Sequence, residues 1–108
     1  MENKVMKEME RALVKHFLDM IVLAKLRDSG RLSGYDAIEF IQGKFQVLVS
    51  AGTVYSLLYS LERKGLINGE WAQAKRVYIL TEKGKDTINA ILRSKEELLR
   101  FTRMLLEA

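Results

Sequence analysis

The chain contains no cysteine and no proline, and only one histidine and one tryptophan among 108 residues. Without cysteine there is no disulfide, no thiolate metal site and no cysteine nucleophile, and nothing points to an oxidising compartment. His16 alone cannot build a metal site and reads as a histidine on the flank of an N-terminal helix. The most apolar run, Phe17 to Ala24, is interrupted by Asp19 and is far too short to span a bilayer. The opening Met1-Glu2-Asn3-Lys4 lacks a signal-peptide pattern, so a cytoplasmic protein with no membrane partner is expected. A phosphate-cradling glycine loop and a nucleophile paired with a base are missing as well, and the carboxylates are scattered along helix surfaces with basic neighbours. Neither an enzyme nor a bound metal or cofactor is expected.

Composition bounds what remains. A chain of 108 residues and 12.4 kDa makes a single domain that buries about two-thirds of its unfolded surface. Its formal net charge of +4 and pI near 9.4 favour a polyanionic partner, but so small an excess is common in proteins that never touch nucleic acid. The placement of the charge matters more than its sum.

Placement is clearest between Ser50 and Ile67, S-A-G-T-V-Y-S-L-L-Y-S-L-E-R-K-G-L-I. Wound at about 100° per residue, Val54, Leu57, Leu58 and Leu61 share one side of a helix. Tyr55, Ser56, Tyr59, Ser60 and Arg63 fall roughly opposite. Ser50 stands where an N-cap belongs, with Thr53 in the first turn, and Lys64-Gly65 supplies a C-terminal cation and a stop glycine. The pattern then switches to period two through Leu66 to Trp71 and Val77 to Thr81, with Lys75 and Arg76 in a basic turn between them. An outward face of hydroxyl, tyrosine and arginine followed by a basic hairpin is the pattern of a recognition helix and wing, which bind duplex DNA.

Individual residues have plainer readings. Tyr55 and Tyr59 alone serve equally well as peripheral core aromatics, and it is the face they share with Ser56 and Arg63 that favours DNA. Lys75 and Arg76 also suit a solvated turn that protects strand edges. Trp71 is expected in the core. Because this fold also serves as a protein-interaction module when its recognition helix is acidic or apolar, that use is the alternative, and Arg63, Lys64, Lys75 and Arg76 argue against it.

Elsewhere the periodicity predicts one long helix from about Asn3 to Arg27, ended by Asp28-Ser29-Gly30. A second runs from the Ser33 cap to about Lys44, with Tyr35, Ile38 and Ile41 or Phe45 toward the core. Residues Phe45 to Val49 form an apolar connection of ambiguous type. From Glu82 onward a single helix is expected, some 39 Å long at about 1.5 Å per residue, with an apolar stripe too extended for one small domain to cover. The N-terminal residues Val5, Met9 and Leu13 are similarly surplus. A homodimer sealed by these residues together with Ile91, Leu98, Phe101 and Leu105 is the economical solution. Residues 17–83 are then the winged core, and 1–16 and 84–108 are helical dimerisation elements.

The blocks S-G-Y-D-A-I at Ser33, G-T-V-Y-S-L-L at Gly52, L-E-R-K-G-L-I at Leu61 and R-V-Y-I-L-T-E-K-G at Arg76 resemble the PadR family of transcriptional regulators over roughly residues 17–90. The resemblance implies a mainly α fold with a small β-hairpin, a winged helix-turn-helix whose terminal helices form a dimer, and a homodimeric repressor on an inverted-repeat operator. The family commonly has proline after the tyrosine of its G-T-x-Y block; this chain has Ser56, which keeps a backbone donor and adds a hydroxyl able to reach a phosphate or base edge. The resemblance also implies a small-molecule effector at the dimer interface, held in multidrug-sensing members by a tryptophan of the C-terminal helix. Here that helix offers only Phe101 as an aromatic, which gives an effector no support.

Overall fold

Capping chemistry sets the boundaries of the central helices in the computed structural model, which describes residues 1–108. The order of elements is α1 (Glu2–His16), α2 (Leu18–Ser29), β1 (Leu32–Ser33), α3 (Gly34–Phe45), α4 (Ala51–Arg63), β2 (Ile67–Ala72), β3 (Lys75–Leu80), α5 (Glu82–Arg93) and α6 (Lys95–Leu106). Ser33 and Asp36 form a reciprocal capping box at the start of α3, and Ser50 and Thr81 cap α4 and α5 through their hydroxyls. Gly30, with φ +84°, ends α2.

The two long terminal helices expected from periodicity are each broken at one residue. Phe17 (φ −101°, ψ 18°) separates α1 from α2, and Ser94 (φ −99°, ψ 17°) separates α5 from α6. Hydrogen bonding continues across both points: Phe17 N–H donates to the Leu13 carbonyl at 3.0 Å and Leu98 N–H to the Ser94 carbonyl at 3.0 Å. The break redirects the helix without unravelling it. Leu18, Val22, Leu23 and Leu26 of α2 enter the core, while Val5, Met9 and Leu13 of α1 stay in solvent.

The core draws its fully buried side chains from α2 (Val22, Leu26), α3 (Ile41), α4 (Val54, Leu58, Leu61), β2 (Ile67) and α5 (Ile88). A three-stranded antiparallel sheet, ordered β1-β3-β2, closes it. Strand β1 pairs Leu32 with Tyr78 and Ser33 with Val77. Two residues carry no period, so this strand exists only through its distant partner.

Three sequence expectations are corrected here. Tyr35 is exposed rather than in the core, because α3 buries the face that carries Gly34, Ala37 and Ile41 and Tyr35 falls off that face. Trp71 is 71% exposed, lying beyond the end of the core where the hairpin projects. Lys75 and Arg76 lie within β3, opposite Ala72 and Trp71, and the turn itself is Gln73-Ala74. The apolar connection after α3 is irregular. Gln46 takes a left-handed φ of +55°, after which Val47 and Val49 are buried and Leu48 is exposed.

The radius of gyration is 15.0 Å, above the roughly 13 Å of a compact domain near 100 residues. The surplus lies in the ends: α1 buries only Val14, and α6 buries nothing.

Candidate nucleic-acid interface

Helix α4 is stopped as well as started by its sequence. Gly65, with φ +76°, lets Leu66 N–H reach the Leu61 carbonyl and Gly65 N–H the Glu62 carbonyl, each at 3.0 Å, which is a Schellman motif. Immediately beyond, the Thr81 hydroxyl donates to the Gly65 carbonyl at 2.6 Å and accepts from Gly84 N–H at 3.0 Å. Gly84 lies so close to the Leu66 carbonyl that any side chain there would collide with backbone. Helix end, hairpin base and start of α5 therefore meet in one place.

With both ends fixed and Val54, Leu58 and Leu61 buried, the opposite face of α4 is held outward. Gly52, Tyr55, Ser56, Tyr59 and Arg63 line a single shallow concavity along it. The Arg63 guanidinium lies over the Tyr59 ring, 5.1 Å from its centroid, which restrains an otherwise mobile side chain. Tyr55 packs against Gly34, so its ring is fixed against α3 while half of it stays exposed.

The remaining predicted residues divide by role. Ser50 accepts a hydrogen bond from Thr53 N–H at 3.1 Å, and their hydroxyls are 2.8 Å apart, so both organise the N-terminal turn. Ser60 is half-buried at the edge of the face. Lys64 is exposed beyond the last turn, where its carbonyl accepts from Lys83 Nζ at 3.0 Å. On the wing, Lys75 is exposed next to the turn, whereas Arg76 is drawn inward by an ion pair with Glu62 at 2.9 Å.

A second cleft, lined by Ser33, Tyr35, Tyr55, Ala74, Lys75 and Arg76, joins the start of α3, the outward face of α4 and the hairpin. Tyr55 belongs to both concavities and makes them one surface. Behind it, the Asp36 carboxyl is held below the ordinary aspartate range. The causes are its hydrogen bonds with Ser33, first to the backbone N–H and then to the side chain, with a smaller contribution from the Lys75 charge. Tyr35 and Glu62 were not among the sequence-predicted site residues. Glu62 had a signal, being the only acid in an otherwise neutral or basic helix.

The residues expected to seal a dimer lie apart from this surface. Val5, Met9 and Leu13 form an exposed stripe on α1, and Phe101 and Leu105 are exposed on α6. Leu98 is half-buried, and Ile91 packs partly against the core of its own domain. No group of three or more histidine, aspartate or glutamate side chains stands close enough to hold a metal ion. No helix is long and apolar enough to cross a membrane.

The family model for the transcriptional regulator PadR-like family matches residues 22–90, more than half of the chain. This chain belongs to the PadR-like family of transcriptional regulators. The match runs from within α2 to within α5 and leaves out α1 and α6. Among solved structures, a PadR family regulator from Eggerthella lenta shares the fold with a TM-score of 0.78 and 24% identity, over 99% of this chain and 96% of its own. Bacillus subtilis PadR in complex with operator DNA is 28% identical with a TM-score of 0.62, over 69% of this chain and 46% of its own. Bordetella bronchiseptica BpsR, whose DNA binding is regulated by 6-hydroxynicotinic acid, is 21% identical with a TM-score of 0.64, over 78% of this chain and 57% of its own. No curated protein matches.

Proposed function

We propose that this PadR-like protein is a repressor that binds duplex DNA sequence-specifically, as a homodimer on an inverted-repeat operator. The observation that carries the reading is the continuous outward surface of α4 and the wing, on which Tyr55, Ser56, Tyr59 and Arg63 stand in one strip beside Lys75. Arg63 suits bidentate reading of guanine in the major groove. The hydroxyls of Tyr55, Ser56 and Tyr59 serve phosphate or base-edge contacts, and Lys75 and Lys64 serve phosphates. Ser50 and Thr53 present the helix N-terminus to the backbone. The operator complex of Bacillus subtilis PadR supports the same use of the fold.

A dimer follows from two needs. One winged domain meets too few phosphates for useful affinity at physiological salt. The apolar stripes of α1 and α6 also lack cover within the chain, and an apolar groove of about 420 Å³, lined by Leu13, Phe17, Met20, Ile21 and Phe45, lies at the foot of the α1 stripe. Terminal helices of a second copy supply cover for both. Twofold symmetry then sets two recognition helices about 34 Å apart, in successive major grooves.

A gel shift on random duplex at low salt, followed by selection of bound duplexes from a random pool, tests this reading. Retardation that weakens steeply with salt and a selected inverted repeat are expected. If no duplex is retarded, the DNA reading fails and the fold serves as a protein-interaction module instead.

A further inference from the structure

Glu62 sits on the recognition helix, where a carboxylate opposes the approach of phosphate. Its surroundings account for it. Glu62 Oε2 accepts a hydrogen bond from Gly69 N–H at 3.0 Å and another from an Arg76 guanidinium N–H at 2.9 Å. Both donors belong to the hairpin, one on each strand. The guanidinium carbon of Arg76 lies 5.8 Å from the ring centroids of both Trp71 and Tyr78. Trp71 is its cross-strand partner, and Tyr78 follows two residues along β3 on the same face. Gly69 leaves the room this requires, since a Cβ there would stand 2.5–2.6 Å from the guanidinium atoms. The side chains of Glu62 and Arg76 are 30% and 36% exposed, so both are partly withdrawn from solvent.

Strand β1 holds one edge of the hairpin only as far as Val77, opposite Ser33, so Arg76 and the residues beyond it form a two-stranded ribbon, which is pliable when held at one end only. The contacts of Glu62 with Gly69 and Arg76 tie the root of that ribbon to α4 from the other side. We propose that Glu62 and Arg76 form a strut that sets the inclination of the wing against the recognition helix. In this arrangement Arg76 is a positioning residue that sets Lys75 in register with Arg63: a tilted wing still meets some phosphate of a random duplex, whereas the selected duplex requires both contacts at once. The proposal rests on the DNA-binding reading above and adds that discrimination between sequences depends on a contact that never touches DNA.

Glu62→Gln tests it by removing the charge while retaining the size and an acceptor oxygen. The probes are the duplex that the wild-type protein selects from a random pool and a random duplex of equal length. Affinity for the selected duplex should fall about tenfold or more, while affinity for the random duplex changes less than about twofold. Emission from Trp71, the only tryptophan in the chain, should shift without DNA present as the guanidinium leaves the indole. Arg76→Lys should reproduce both effects, since an ammonium lacks the planar fork, and the double variant should lose no more than the worse single one. Gly69→Ala crowds the guanidinium from the strand side with every charge retained, and serves if Glu62→Gln melts early; it too should lose discrimination.

Glu62→Gln that binds the selected duplex as tightly as wild type, or more tightly, overturns the strut, because loss of a repelling carboxylate alone would do that. Unchanged Trp71 emission in that variant, or unchanged discrimination in Gly69→Ala, overturns it equally. A wild-type protein that binds no duplex removes the DNA reading and the proposal together, so the two failures are told apart in the wild type.

Discussion

Helices α4 and α6 are nearly equal in length, at 13 and 12 residues, and both carry an apolar stripe. In α4 the stripe is consumed: Val54, Leu58 and Leu61 are buried, and a capped start and a glycine stop hold the helix in register. In α6 nothing is buried, no side chain caps the N-terminus, and Leu99, Phe101, Met104, Leu105 and Leu106 all face solvent. Periodicity thus says that a face needs cover and leaves open whether the same chain provides it. Helix α4 is anchored in its own domain, whereas the apolar face of α6 has no cover within the chain.

The sharpest way to break this comparison is to charge the uncovered stripe. Replacing Leu98 and Leu105 together with glutamate should weaken the dimer by about 3–5 kcal/mol or more, through uncompensated charges in a sealed interface. The winged core should melt as before, and sedimentation equilibrium should show a monomer; a tight dimer in this variant would rule out that seam. Leu58→Ala asks the converse question of α4. It should cost the fold about 2–5 kcal/mol, read by urea denaturation, with a loss that does not depend on protein concentration.

Smaller effects probe the outward face of α4. Arg63→Ala should cost about 1–3 kcal/mol on the selected duplex and much less on random DNA. Lys75→Ala should weaken both alike and reduce the magnitude of the salt slope by about one. If both variants bind as wild type does, α4 is not the reading helix. The smallest effect is expected at Asp36. Its folded pKa is depressed, so its stabilising contribution is complete above the ordinary aspartate range and is lost as pH falls through the folded value. Asp36→Asn should therefore be less stable than wild type at neutral pH, and the two should converge in acid as thermal melts are repeated downward.

Local chemistry made the centre of the molecule legible. Ser33, Ser50 and Gly65 announce helix ends, and alternation after Gly65 announces a hairpin, because each is decided within a few residues. What escaped depends on distant partners. Strand β1 is set by a partner more than forty residues away, and the kinks at Phe17 and Ser94 leave the helical hydrogen bonds and the 3.6-residue period running through them. Tyr35 reads toward the core from the period of its helix and Trp71 because large aromatics usually belong there, yet Tyr35 falls off the buried face of α3 and Trp71 lies near the projecting end of the hairpin. Glu62 reads as a solvated helix acid until the hairpin folds back to bring Arg76 against it.

The Thr81 hydroxyl, bridging the Gly65 carbonyl and the Gly84 amide, anchors the base of the wing far from its tip. Everything that places the recognition helix lies at or below the level of Arg76, while Gln73 and Ala74 close the loop beyond it. Residues inserted between those two lengthen the wing and leave the helices where they are. The reach of the wing can thus be altered at Gln73 and Ala74 without disturbing the packed core.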